Sequence, residues 1–215
     1  MITNKLVIFD YDGVIADSLG VWIEAFDIAG RKNSIPYRLD AEKISMLEHI
    51  TFAAVLEQAG LTDDALTEKY VSDILDLLSS GSGGVDFFTG ASALVEKLSR
   101  AGNIICINTA NHTPIVRKKL HDEKILPFVT DIAGGDIKGS KSEKINIFMK
   151  KYSFKPENTF MIGDSLGDIT EGKKSGVITI AAAYGWQKGE KLLEGNPDYF
   201  CSNLSEMEKV FNSLA

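Results

Sequence analysis

Short apolar runs recur along this chain. Each stops at a polar loop, and helical patterns fill the intervals between them. Leu6-Val7-Ile8-Phe9, Ile104-Ile105-Cys106-Ile107, Phe160-Met161-Ile162 and Val177-Ile178-Thr179-Ile180 are too short for helices. They are also too continuously apolar for strands with one solvated face, so they read as strands buried on both sides. Phe128-Val129-Thr130-Asp131 and Tyr199-Phe200-Cys201 are weaker strand candidates. The predicted helices run from Ala91 to Arg100, ahead of Gly102, and from Lys141 to Tyr152, with Ile145, Phe148, Met149 and Tyr152 at helical spacing. A further one spans Asp168 to Ser175 and stops at Gly176, a natural left-handed cap. Thr113-Pro114 reads as an N-cap followed by proline at the first helical position. Strand–helix alternation of this kind predicts an α/β fold: a doubly wound parallel sheet with helices on both faces.

Residues 19–80 break the alternation. They carry no clear strand run and read as helices over Trp22–Ala29, Ile50–Ala59 and Asp63–Ser79, with the Gly30–Pro36 stretch interrupting the first helical hairpin. Gly81-Ser82-Gly83-Gly84 follows as a flexible hinge. The expected organisation is a core made of residues 1–16 and 86–215, with an α-helical domain, 17–85, inserted after the first strand.

Composition excludes several classes. The net charge of −7 offers no basic excess for displacing counterions, so no nucleic-acid partner is expected. No apolar run reaches the length of a membrane span, so no membrane partner is expected either. The apolar segment after Met1–Lys5 ends at Asp10, which is unlike a signal peptide, and the expected location is cytoplasmic. Cys106 and Cys201 sit in strand-like segments and read as buried free thiols.

Open parallel sheets bind ligands beyond the carboxyl ends of their strands. After the first run stands Asp10-Tyr11-Asp12-Gly13; after the second, Asn108-Thr109-Ala110-Asn111; after the third, Gly163-Asp164-Ser165-Leu166-Gly167-Asp168. Four carboxylates and a hydroxyl thus gather at one edge, with Lys141 on a nearby helix and Lys144 as its rival. Such carboxylates repel one another unless a cation or proton is present. Oxygen donors without His or Cys select a hard cation such as Mg²⁺, which pairs with one or two carboxylates and a phosphate.

Asp-x-Asp-Gly-Val, then Thr109, then Lys141, then Gly-Asp-x-x-x-Asp resemble, in order, the four motifs of the haloacid dehalogenase-like superfamily. Val85–Gly90 resembles the segment by which such chains re-enter the core. Tyr184-Gly185-Trp186 and Asn196-Pro197-Asp198-Tyr199 resemble the end of its phosphoglycolate phosphatase-like branch. The resemblance implies a Rossmann-like core with a helical cap, and a Mg²⁺-dependent phosphatase acting on a small phosphorylated metabolite. It implies Asp10 as nucleophile and Asp12 as general acid and base, with Thr109 and Lys141 completing the catalytic set. Gly13, Thr109, Ala110, Asn111 and Lys141 would hold phosphate. Asp10, Asp164, Asp168 and the Asp12 carbonyl would hold the metal, Asp168 directly or through water.

Asp12 disfavours dehalogenation, which needs no acid there. A phosphomutase of the β-phosphoglucomutase type is the alternative; such enzymes often carry Glu where Gly163 stands, so Gly163 leans toward hydrolysis. A phosphate-receiving signalling domain is the binding-protein alternative, and the length of this chain argues against it. Asp17-Ser18 reads as a helix cap, Trp22 as core, and His49 and His112 as surface. Arg31, Lys32, Arg38 and Lys43 read as solvated charge.

Overall fold

The computed structural model describes residues 2–61, 63–80 and 84–214. The chain opens with β1 (Leu6–Phe9) and a two-residue strand β2 (Ala16–Asp17), followed by helices α1 (Leu19–Lys32), α2 (Ala41–Met46), α3 (Phe52–Gln58) and α4 (Asp64–Ser80). The chain then alternates: β3 (Asp86–Phe87), α5 (Ala91–Arg100), β4 (Ile104–Asn108), α6 (Thr113–Asp122), β5 (Asp131–Ala133), α7 (Lys141–Tyr152) and β6 (Thr159–Gly163). It ends with α8 (Leu166–Lys174), β7 (Ile178–Ala182), α9 (Gly189–Leu193), β8 (Tyr199–Cys201) and α10 (Leu204–Ser213).

Six strands form one sheet in the order β5-β4-β1-β6-β7-β8, and every pairing is parallel. All four residues of β1 are buried, as a central parallel strand requires. Their side chains alternate between faces. Val7 and Phe9 pack with Leu94, Leu98, Val116, Leu120 and Phe211 from α5, α6 and α10, while Leu6 and Ile8 pack with Ile145, Phe148 and Met149 of α7. Register sets the working edge: Phe9 lies opposite both Ile107 and Ile162. Asp10, Asn108 and Gly163 therefore leave the sheet level with one another.

Helices α1 to α4 lie between β2 and β3, which pair antiparallel. They bury their own cluster around Phe26, Ile44, Tyr70 and Ile74. The Tyr70 hydroxyl donates to the Phe26 carbonyl at 3.1 Å, joining α4 to α1. Asp73 of α4 accepts from Lys32 at 2.6 Å and from Asn33 at 2.7 Å, which fixes the end of α1.

Several local expectations need correction. Gly30, Arg31 and Lys32 are helical, because α1 runs through them. The helix expected from Ile50 begins at Phe52 and is capped by Thr51. The short α2 and the β2–β3 pair add to the expected elements. His112, not Thr113, holds the cap position of α6, and the Thr113 hydroxyl instead accepts from Gly134 N at 3.0 Å. The strand expected at Phe128–Asp131 starts at Asp131, since Leu126–Phe128, with Pro127, forms a tight helical turn. The helix expected from Asp168 begins at Leu166, because Ser165 caps it. Residues 81–83 of the expected hinge lie outside the described residues. Cys106 and Cys201 are buried free thiols. Among the described residues no helix is long and apolar enough to cross a membrane.

Candidate active site

The loops that leave β1 and β6 bring the acidic residues together. Ligand oxygens of Asp10, Asp164 and Asp168 lie within 4.8 Å of one another, and all three residues are buried. Lys141 reaches in from the first position of α7. Its Nζ donates to Asp10 Oδ2 at 2.6 Å and also to Asp168 Oδ1. The placement of Lys141 is over-determined. Ser140 and Glu143 form a capping box at the start of α7, and Asn108 Nδ2 holds the Lys141 carbonyl at 2.9 Å. Lys144, the rival, points elsewhere and donates to the Gly134 carbonyl at 2.8 Å.

Each remaining carboxylate has its own support. Asp10 Oδ1 accepts from the Tyr11 amide at 2.6 Å. Asp164 Oδ2 accepts from the Trp186 amide at 2.6 Å. Asp168 is both a helix-capping residue and the partner of Lys141: its Oδ2 accepts from Ser165 N at 3.1 Å and Ser165 Oγ at 2.6 Å. Asp12 stands apart from the cluster. Its Oδ1 accepts from Ser18 Oγ at 2.6 Å and Trp22 Nε1 at 3.1 Å, and its Oδ2 from Asn111 Nδ2 at 3.0 Å. Ser18 therefore does more than sit at the head of α1, where its side chain makes no capping bond. Trp22 is core on one side and a donor to Asp12 on the other.

Burial dominates the electrostatics. It lifts the Asp10 carboxyl to about 7, against the pull of Lys141 and with the help of the Asp168 charge. Burial also raises Asp164 well above the usual carboxylate range, and the Asp10 and Asp168 charges add to it. Burial raises Asp12, opposed by the donors Ser18, Asn111 and Trp22. Burial alone would lower Lys141, but the Asp10 and Asp168 charges outweigh it and the net shift is upward. Lys144 shifts down, through burial and the neighbouring Lys141 charge. Three carboxylates face one ammonium, so the fully ionised site would carry two uncompensated negative charges. A divalent cation fits this site in charge, and the donor set is all oxygen.

Thr109 and its neighbours form the opposite wall. Thr109 Oγ1 accepts from Asn111 N at 3.0 Å, and its own O–H meets no acceptor among the described residues. Thr109, Ala110 and Asn111 line the same cleft as Asp10 and Asp164. Gly13 plays a different part from the expected phosphate contact, because its amide donates to the Ala16 carbonyl at 2.9 Å. His49 is exposed and His112 half-buried.

The sequence profile of the haloacid dehalogenase-like hydrolases matches residues 7–182. The chain belongs to that family. A phosphoglycolate phosphatase of Vibrio parahaemolyticus serotype O3:K6 is 25% identical over 217 residues, spanning 96% of this chain and 95% of the relative. A predicted phosphatase from Clostridium acetobutylicum has the same fold, with a TM-score of 0.85 at 20% identity, covering 99% of this chain and 100% of that one. CbbY from Rhodobacter sphaeroides, solved in complex with phosphate, has a TM-score of 0.77 at 16% identity, covering 95% and 96%. This haloacid dehalogenase-like chain is a hydrolase of the phosphatase class, a phosphoric monoester hydrolase.

Two glycines of the family motifs are explained by space. Gly13 has a φ of +75°, and a Cβ there would lie 1.8 Å from Asp164 Oδ2. Gly163 lies so close to α8 that a Cβ would meet the Asp168 Cβ at 2.1 Å. A Glu at position 163, as in the mutase-like pattern, would therefore require α8 to move. Gly13→Ala is expected to strain the turn and push Asp164 aside. A displacement of about 1 Å near the reacting atoms costs roughly 100-fold in rate. Turnover assays beside a melting curve check this; a folded Gly13→Ala enzyme with parental kcat would contradict it.

Proposed function

We propose that this enzyme hydrolyses the phosphate monoester of a small metabolite, with Mg²⁺, through an aspartyl-phosphate on Asp10. The observation that carries the reading is the convergence of Asp10, Asp164 and Asp168 around Lys141, three carboxyl groups against one ammonium. Asp10 and Asp164 would hold the ion, together with the Asp12 carbonyl. Asp168, whose oxygens are already taken by Lys141 and Ser165, would support the site through water and through the lysine. When bound, Mg²⁺ supplies positive charge against the transferring phosphoryl oxygens.

The chain's own residues do the rest. Asp10 attacks phosphorus, its bond to the leaving oxygen breaks, and that oxygen takes a proton from Asp12. Water then attacks the aspartyl-phosphate, gives its proton to Asp12, and releases phosphate with Asp10 restored. Asp12 must hold the proton in one step and lack it in the next. Burial favours the protonated form, while the donors Ser18, Trp22 and Asn111 favour the ionised one. Thr109 O–H and Lys141 Nζ hold phosphate oxygens. Residues 17–85 serve as a cap over this centre. Two of the three donors to Asp12 come from its first part, so seating the cap completes the acid–base residue.

Phosphate release from a panel of phosphorylated metabolites, with Mg²⁺ and with EDTA, tests the activity. Acid quench during turnover should leave a phosphoryl group on the Asp10 peptide by mass spectrometry. Undiminished release in EDTA would sink the metal requirement. Asp164→Asn is expected to raise the half-saturating Mg²⁺ concentration by at least about tenfold. A Mg²⁺ titration of initial rate reads this directly, and an unshifted curve would remove Asp164 from the ligand set.

A further inference from the structure

The space above Asp10 has an apolar roof. A narrow cleft runs from Asp10, Asp12, Thr109 and Asp164 up against the α1–α4 helices. On that side Phe26, Leu39, Ile44, Phe52 and Val55 line it, and among the described residues no Lys, Arg or His does. The cations of these helices are engaged with their own carboxylates: Arg31 and Arg38 with Asp27, Lys32 and Lys69 with Asp73, and Lys43 with Asp40. Trp22 packs on Phe52 at 5.0 Å and on Trp186 at 6.0 Å between ring centres, so the wall next to Asp12 is aromatic. Trp186 carries one polar exception, an Nε1–H that is buried and has no acceptor among the described residues.

A leaving group bearing a carboxylate would lose its hydration in this cleft and gain no counter-charge. An uncharged, largely apolar one would gain from leaving water. We infer that the substrate is the phosphate ester of an uncharged, largely apolar alcohol, with its body against Trp22, Phe52 and Trp186. A single acceptor oxygen on that body would satisfy the free Trp186 donor. This rests on the phosphatase chemistry proposed at Asp10 and sets the chain apart from the substrate named for its phosphoglycolate phosphatase relatives. A second opening, beside Lys141 and lined by His112 and Lys138, is where an anionic leaving group would lie instead.

The test is kcat/KM for phosphate release by the unmodified enzyme with Mg²⁺. Benzyl phosphate, ethyl phosphate and 2-phosphoglycolate are compared, with an activated aryl phosphate as positive control. Benzyl phosphate should exceed 2-phosphoglycolate by at least about tenfold, the scale on which apolar pockets discriminate. Ile50 lines the cleft at a half-buried position, and Ile50→Arg should move the benzyl-to-phosphoglycolate ratio toward the acid by about tenfold. Both rates in the ratio come from one preparation, so partial unfolding cancels. Equal rates, or a preference for 2-phosphoglycolate that Lys138→Ala weakens, would overturn the inference while the phosphatase reading stands. No release from any ester, the aryl control included, would remove that reading and the inference with it.

Discussion

Asp10→Asn is expected to lower kcat by at least about 10⁴-fold, the scale seen when a covalent nucleophile is removed. The same substitution should make the metal-free protein more stable. Burial and neighbouring carboxylates lift the Asp10 carboxyl from 3.8 to about 7. The native state therefore keeps a proton that the unfolded chain has already lost between those values. Stability in EDTA should fall as pH rises from about 4 toward 7, because the unfolded state is the better place for an ionised Asp10. Asparagine does not titrate, and Lys141 keeps Asp168 as a partner. In EDTA at neutral pH, Asp10→Asn should melt several degrees above the parent, at about 2–4 °C for each kcal/mol in a chain of this size. The pH slope should shrink without vanishing, since Asp164 is raised as well. Saturating Mg²⁺ should flatten the parent's slope. Retained turnover would end the nucleophile assignment, and an unchanged pH slope would end the buried-charge account.

The parts of this molecule that were legible are those in which one local rule acts alone. Leu6–Phe9 reads as a strand because a central parallel strand is apolar on both faces, and Asp10-Tyr11-Asp12-Gly13 reads as the loop at its carboxyl end because the apolar run stops there. The boundaries of α5 and α7 follow from periodicity, with the Ser140–Glu143 capping box marking where Lys141 begins its helix. What was not legible depends on distant partners. A two-residue strand such as β2 has no pattern of its own and exists because β3 returns to it. Thr113 looks like a cap, but Gly134 in the next loop claims its hydroxyl. Trp22 is spaced as a core residue, and nothing local reveals that its indole nitrogen reaches Asp12. Ser165 was legible in principle, since Ser-x-x-Asp at a helix start is a capping signal. The same Asp168 carboxylate serves both the cap and Lys141, so its charge masks the capping signal.

The pair Lys141 and Lys144 gives the sharpest contrast, because sequence spacing alone left both open. Lys141→Ala is expected to lower kcat by about 10²–10³-fold, the usual loss when a donor to developing charge is removed. Lys144→Ala should act on stability instead. It orphans the buried end of a bond to the Gly134 carbonyl, a loss of about 1–3 kcal/mol, and leaves kcat of the folded enzyme close to the parent. Lys141→Arg should not rescue, because a planar fork cannot replace a point charge held between Asp10 and Asp168. A second, opposite readout separates a cation from a mere spacer. Without Lys141, three buried carboxylates face one another with no ammonium among them, so the site should draw Mg²⁺ more strongly. Its half-saturating Mg²⁺ concentration should fall while kcat falls, whereas Asp164→Asn should raise it. Metal titrations of initial rate on the two variants decide the matter. If both curves move the same way, Lys141 is not balancing the charge that the metal also balances.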